Sequence, residues 1–305
     1  MPEAPRLSIV IPVRDEQDTV ADIAGRIAAV LDGGYELIFV DDGSVDDTWA
    51  RLQTIHRPGH VRVLRLRRNF GKTAALMAGF ALVRGETVIT MDGDLQDDPS
   101  EIPRFLAKLE EGYDLVTGWK KRRHDPVSKV ISSRLFNFAV RQATGLAVRD
   151  INCGFKAFRG DAAHSLRIYG EMHRFIPVLV AAEGFRVTEI EVTHHPRRHG
   201  RSKYGIERMF KGFFDLVTVI FLTRFRERPA HAFGWTATLW FVLSLLTLAA
   251  WVALGAGPAL LLAGSATFFL AGSLFMAIGW AAEYVLAFRS AESSLPFYAI
   301  RERLD

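Results

Sequence analysis

Apolar and polar positions along the chain fall into two regimes. Up to about residue 200 they alternate between short, nearly unbroken apolar runs and stretches of helical recurrence; beyond residue 228 they merge into one long apolar tract. LSIVIPV (7–13) reads as a buried strand, and Val20, Ile23, Ala24, Ile27, Val30 and Leu31 then recur at helical spacing. ELIFVDD (36–42) and VRVLRL (61–66) read as the second and third strands, 73–83 as a helix, and GETVITMDGD (85–94) as a fourth strand. Ser44 and Asp47 have the spacing of a capping box for the helix between the second and third strands. Strand and helix alternating at short spacing predict a mainly parallel sheet with helices on both faces, an α/β domain. A second section begins near Asp114, with a helix over 127–144 and a last strand over 187–193. There is no internal repeat or low-complexity segment.

The second regime is different in kind. Residues 229–282 contain no Lys, Arg, Asp or Glu. At about 20 residues per crossing, that length predicts two membrane helices, placed at 232–254 and 259–286 around the turn Gly255-Ala256-Gly257-Pro258. Trp235, Trp240, Trp251 and Trp280 lie toward the expected interfaces. The preceding stretch, 206–225, is rich in Phe, carries Arg208 and Lys211 on its polar side, and reads as one or two interfacial helices. No signal peptide is read at the N-terminus, where 1–6 is polar and the first apolar run is broken by Pro12. Arg224, Arg226 and Arg228 before the first span and Arg289 after the second predict both termini in the cytoplasm of an inner-membrane, multi-pass protein. The expected organisation is a cytoplasmic domain over 1–203, interfacial helices over 204–228, two spans over 229–288 and a cytoplasmic tail over 289–305.

Composition adds two constraints. The single cysteine, Cys153, excludes an intrachain disulfide and agrees with a reducing compartment. The net charge of +4 points to an anionic partner, phosphate or anionic lipid.

The candidate chemistry lies at strand ends. In open α/β sheets ligands bind beyond the carboxyl ends of the strands, and Asp41, Asp42, Asp92 and Asp94 all fall there. FGKT (70–73) invites a P-loop reading, which fails because Leu66 stands where the first glycine is required. No GxGxxG opens the first helix, and a lone cysteine cannot build a thiolate zinc site. A basic loop, HPRRHGRSKYG (195–205), lacks any nucleic-acid recognition module around it, so nucleic acid is not an expected partner.

Six segments occur in a telling order: IPVRDE (11–16), VDDGSVDDT (40–48), RNFGKTAAL (68–76), MDGDLQDDP (91–99), RDINCGFKAF (149–158) and HPRRHGRSKYG (195–205). Together they resemble family 2 glycosyltransferases. More narrowly, they resemble the polyprenyl-phosphate sugar transferases, the branch of dolichyl-phosphate mannose synthase and the bacterial undecaprenyl-phosphate glucosyltransferases. The resemblance runs over essentially the whole chain and includes AEYVLAFR (282–289), similar to the GEYL ending of the two-span bacterial branch.

The resemblance implies an A-type glycosyltransferase fold, Rossmann-like, followed by interfacial helices and two transmembrane helices. It implies that Asp92 and Asp94, with Gln96 as ligand or support, hold Mg²⁺ or Mn²⁺ against the diphosphate of a nucleotide sugar; such ions prefer hard oxygen ligands. Asp97 and Asp98 are expected at a helix start. Pro12, Arg14, Glu16, Asp42, Asp92 and Gly93 match the donor cradle; Asp41 is divided between that cradle and a structural cap, and Lys72 between the diphosphate and solvent. Arg134, Arg201, Ser202 and Lys203 match residues that serve the acceptor phosphate, with Lys120–Arg123 a further basic run read mainly as a solvated face. Asp94, Asp150, Arg134 and Arg201 are the expected catalytic residues, Asp150 orienting the acceptor or an arginine, or else pairing with Arg149 or Lys156. His173 and Arg174 resemble a segment near the acceptor. The implied reaction is inverting, metal-dependent transfer from UDP-glucose, with GDP-mannose as runner-up, to undecaprenyl phosphate; a non-catalytic membrane scaffold is the rival from another class. A homo-oligomer is compatible with this reading.

Overall fold

A computed structural model describes residues 5–121, 127–195, 207–225, 228–289 and 300–304. The chain divides into two compact units, one of 1–219 with 296–305 and one of 220–295.

The first unit is built on an eight-stranded sheet. Its strands are β1 (Leu7–Val13), β2 (Tyr35–Asp41), β3 (Val61–Leu66), β4 (Thr87–Thr90), β5 (Leu115–Trp119), β6 (Lys156–Arg159), β7 (Val187–Glu191) and β8 (Ile300–Leu304), in the order β7-β5-β6-β4-β1-β2-β3-β8. The run β3-β2-β1-β4 is parallel, as the alternating pattern predicts, and β5 pairs with β7 in parallel. β6 runs antiparallel between β4 and β5, and β8 antiparallel along the edge of β3.

The helices follow from the spacing of apolar side chains. α1 (Val20–Val30) buries Val20, Ile23 and Ile27 at helical intervals, and α4 (Ile102–Glu110) buries Ile102, Phe105 and Leu109. With Ile9, Ile11, Leu37 and Phe39 from the strands they form one core. Among the other helices, α2 spans Thr48–Ile55, α3 Lys72–Phe80, α5 Val127–Thr144, α6 Gly160–Ser165 and α7 Ile176–Ala182. β1 lies between β2 and β4, so the strand order reverses there. That crevice, at the carboxyl ends of β1, β2 and β4, is where an open α/β sheet places a ligand.

Two expectations need correction here. Ser44 and Asp47 do not form a capping box: the Ser44 hydroxyl accepts from the Asp15 N–H at 2.9 Å, and Asp46 takes the Thr48 N–H at 3.0 Å. Long-range demand from the β1 loop outcompetes the local cap. The segment 289–305, expected as a tail, ends in a strand of the sheet, because Ile300–Leu304 pairs with β3.

α8 (Glu207–Arg224) begins in the first unit. It buries Leu216 and Val219 there, while Phe214 and Val217 stay exposed. The second unit holds α9 (Pro229–Ala253) and α10 (Ala259–Arg289), joined at Gly255-Ala256-Gly257-Pro258. Two 24-residue stretches, Ala230–Ala253 and Ala259–Ala282, are long and apolar enough to cross a membrane, and only 11% of each is buried, unlike the core helices of a soluble domain. Trp240 packs on Phe268 and Phe241 on Phe269, each with ring centroids 5.5 Å apart, and the Ser244 hydroxyl donates to the Ser265 carbonyl at 2.9 Å. Small residues and a hydrogen-bonded serine pair are what allow two helices to pack closely in lipid.

Candidate active site

The site is assembled from the carboxyl-end loops of β1, β2 and β4, joined by the N-terminus of α3 and the loop before β6. β4 ends at Thr90 and delivers Asp92-Gly93-Asp94 to the crevice. Leu95 follows with φ 60°, a left-handed turn that folds the loop back on itself. The Gln96 N–H donates to Asp94 Oδ1 at 3.2 Å.

Asp92 sits against the Lys72 ammonium, which α3 presents from its first turn. Burial alone would raise the Asp92 pKa, but Lys72, with Lys120 and Lys156 nearby, holds it well below the usual carboxylate range. Lys72 in turn stays protonated: burial is outweighed by Asp92, Asp97 and Asp94. The loop before β6 closes against the same carboxylate. A Cβ at Gly154 would stand 2.5 Å from Asp92 Oδ1, so only glycine permits this approach.

A second pair, with a fully buried carboxylate, lies beside the first. Lys120 Nζ is 2.7 Å from Asp97 Oδ1, and Asp97 Oδ2 accepts the Asp92 N–H at 3.3 Å. This corrects two expectations. Asp97 does not start a helix; Asp98 alone does, taking the Ser100 N–H at 3.0 Å. Lys120 is not part of a solvated face but a largely shielded site residue, while its neighbour Lys121 pairs with Glu191 at the surface. Charge composition cannot separate two adjacent lysines on opposite sides of a strand end; the alternation of β5 could have, since Gly118 and Lys120 share one side.

Asp150 is buried, and its Oδ2 accepts the Lys120 N–H at 3.4 Å. Arg149 bonds to Glu189 and stacks on Trp119 at 4.3 Å, while the Lys156 ammonium donates to the Cys153 carbonyl and is attracted by Asp150. The Asp150 loop is tied to α5 through Asn137, whose Oδ1 accepts the Ile151 N–H at 3.4 Å. The same helix carries Arg134 on its exposed side. Cys153 is buried, its thiol pushed up to about 12, and is chemically inert.

On the nucleotide side, Asp42 accepts from Phe70 N–H at 2.7 Å and Gly71 N–H at 2.9 Å, fixing the loop that leads into Lys72. Asp41 is fully buried; Oδ1 takes the Ser44 N–H at 2.8 Å and Oδ2 faces Arg65 Nε at 3.3 Å. These contacts are those of the structural cap, one of the two readings of Asp41. Pro12 pairs with Val40 in the sheet, Gly93 packs beside Val13, Arg14 is exposed at the crevice mouth, and Glu16 accepts from the Thr19 hydroxyl at 3.2 Å. His173 is buried with Nδ1 2.9 Å from the Thr73 hydroxyl, and burial plus Lys72 and Arg174 keep it neutral, its pKa well below the ordinary value. Arg174 reaches Asp215 of α8 at 3.6 Å. Arg201, Ser202 and Lys203 lie outside the described residues.

The pattern of the glycosyl transferase family 2 domain matches residues 8–167, more than half of the 305-residue chain. The chain belongs to family 2 of the glycosyltransferases. It is an enzyme of that class, and its relatives are polyprenyl-phosphate sugar transferases. Over 237 residues it is 42% identical to a dodecaprenyl-phosphate galacturonate synthase of Rhizobium johnstonii, covering 75% of this chain and 70% of that one. Over 305 residues it is 35% identical to an undecaprenyl-phosphate 4-deoxy-4-formamido-L-arabinose transferase of an Enterobacter species, covering 97% and 93%. Among solved structures, glucosyl-3-phosphoglycerate synthase of Mycobacterium tuberculosis with Mn²⁺, UDP-glucose and phosphoglyceric acid superposes with a TM-score of 0.56 at 21% identity, covering 71% of this chain and 79% of that one. At that identity the likeness shows the A-type glycosyltransferase fold, which this chain shares.

Proposed function

We propose that this glycosyltransferase moves a sugar from a uridine diphosphate donor to a polyprenyl phosphate, at the membrane face where its two apolar helices anchor it. The observation that carries this reading is the pairing, in one chain, of the Asp92–Asp94 loop ringed by Lys72, Lys120 and Lys156 with two 24-residue apolar helices. The relatives' names supply the acceptor class. They widen the donor: beside UDP-glucose, the first expectation from the two-span tail, stand an acidic sugar and an amino pentose derivative.

A divalent cation fits the chemistry of the loop. Among the described residues no three His, Cys, Asp or Glu side chains converge on one point, so the chain offers Asp94, Asp92 and the Gln96 amide, and donor phosphates would complete the set. Bound there, the ion would offset charge on the leaving diphosphate. Asp94, the second carboxylate of the D-x-D, is the first choice for direct ligation.

The chain's own residues account for the rest. Lys72 lies beside the loop and places a fixed positive charge where the diphosphate departs. The bond between the anomeric carbon and the donor phosphate oxygen breaks, and an acceptor phosphate oxygen takes its place with inversion. That oxygen is ionised near neutral pH, so Asp150 serves alignment rather than deprotonation. Arg134, exposed on α5, suits the acceptor phosphate. The pairing of β8 with β3 supports a hairpin that crosses twice and returns the chain to the side it left, with the domain facing the cytoplasm as the flanking arginines suggest.

Incubating membranes carrying the protein with undecaprenyl phosphate and labelled UDP- and GDP-sugars tests the reading. A lipid-linked monosaccharide phosphate is the expected product. Absence of any such product across the panel, with folded protein present, overturns it.

A further inference from the structure

The loop that carries Asp150 has no hydrogen-bond ladder of its own. Residues 145–155 run between α5 and β6 without helix or strand, so its shielded main-chain N–H groups must find partners on other elements. Ile151 N–H finds Asn137 of α5 at 3.4 Å. The two preceding amides converge on one carboxylate. Arg149 N–H donates to Glu189 Oε2 at 2.6 Å, and Asp150 N–H donates to the same side chain.

Glu189 stands in β7, opposite Thr117 of β5. Ile190 and Val192 pack on the core, so strand alternation puts Glu189 and Glu191 on the other face. Each of these carboxylates meets a cation, Glu189 the Arg149 guanidinium and Glu191 the Lys121 ammonium. Their surroundings differ. The Glu191 side chain is 48% exposed, and the Glu189 side chain only 14%. Burial raises the Glu189 pKa, and the N–H bonds from Arg149 and Asp150 work against that rise. The Arg149 side chain is 56% exposed and stacks on Trp119, so its ion pair is screened by water and weak. Main-chain bonds to a shielded carboxylate are the stronger tie.

Asp150 is thus bracketed from two neighbouring strands. Its Oδ2 accepts the N–H of Lys120, which directly follows β5, and its own N–H goes to β7. We propose that Glu189 is a positioning residue for sugar transfer: by gripping the main chain at 149 and 150 it sets where the Asp150 carboxylate stands in the crevice. This rests on the reading above, in which Asp150 aligns the acceptor. Glu189 acts through Asp150 and not on the substrate. A small displacement of an aligning group is enough to slow a reaction steeply while the substrates still bind.

The test is a double-mutant cycle on transfer to undecaprenyl phosphate, using full-length protein in membranes and the UDP-sugar that the donor panel selects. Glu189→Ala should lower kcat by about tenfold or more, with affinity for UDP unchanged. Glu189→Gln, which keeps one acceptor oxygen, should recover part of the loss. In an Asp150→Ala background, Glu189→Ala should cost no more than about a further twofold, because the two residues act as one unit. Arg149→Ala keeps both main-chain N–H groups and should retain most of the wild-type kcat. Wild-type kcat in both Glu189 variants overturns the proposal. So does a double variant whose loss is the product of the two single losses, since Glu189 then acts independently of Asp150. A loss in Arg149→Ala as large as in Glu189→Ala overturns it as well, and transfers the role to the guanidinium. If Glu189→Ala does not fold, Glu189→Gln carries the same cycle. Asp150→Ala at the wild-type rate means that the alignment reading has failed; a slow Asp150→Ala beside wild-type Glu189 variants means that only the positioning role has.

Discussion

Gln96 and His195 are stitched together: the His195 N–H donates to the Gln96 carbonyl at 3.0 Å, and the Gln96 amide returns a bond to the His195 carbonyl at 3.3 Å. The neighbouring Asp97 and His194 form an isolated β-bridge, and His195 Nε2 lies 3.1 Å from Asp98 Oδ2. These contacts tie the D-x-D loop to His194 and His195, where the basic segment begins. Arg201→Ala, in the basic segment that follows in sequence, should cost about 1.5–3 kcal/mol of transition-state stabilisation, a ten- to hundredfold fall in rate, with nucleotide affinity falling less. The assay uses a short soluble acceptor phosphate in detergent; a wild-type rate there would make the loop a membrane contact only.

Asp94 follows Asp92 in the loop and accepts the Gln96 N–H at 3.2 Å. EDTA should abolish transfer and Mg²⁺ or Mn²⁺ restore it, and Asp94→Ala should lose metal-stimulated turnover by at least about 100-fold. Full activity in Asp94→Ala would remove the cation from the site.

Gly154→Ala forces a methyl group to 2.5 Å from Asp92 Oδ1. The expected outcome is a fold that survives and a reaction that does not. Turnover should fall by about 100-fold or more as the carboxylate is displaced, with a small change in Tm; unchanged kinetics would show that the loop relaxes freely.

His173 gives a pH dependence with a definite sign. Its folded pKa is depressed by burial, Lys72 and Arg174, so its contribution to stability is present above the unfolded value of about 6.5 and is lost as pH falls below it toward the folded value. The loss should approach about 1.4 kcal/mol per pH unit. Tm measured between pH 7.5 and about 5 should fall less steeply in His173→Asn than in the wild type; parallel curves would reject the assignment.

Much of this site was legible because the rules that govern it are local. Apolar runs gave β1 to β4, and position at strand ends put Asp42, Asp92 and Asp94 in one crevice. What escaped depends on partners far along the chain. Lys120 reads as one charge in a run of four until β5 turns it inward onto Asp97. Glu36 sits fully buried in β2, answered by Ser8 at 2.7 Å and by Arg62 and Arg84, an arrangement that no spacing announces. Ser44 has the spacing of a cap and is used elsewhere. IRERL (300–304) sets three consecutive charged residues between two apolar ones, a short pattern without the alternation that marks a strand.

That last strand changes what the membrane hairpin is. With β8 closing the edge of β3, α9 and α10 are an insertion within one sheet rather than an appendage hung on its end. During synthesis the hairpin leaves the ribosome before the domain's final edge exists, so β3 waits with open N–H and C=O groups until the last few residues arrive. A protein cut after residue 228 keeps every donor-side residue described here yet bares that edge, and unpaired edges recruit other strands. Such a fragment should self-associate, and a separately supplied peptide of residues 300–305 should suppress it.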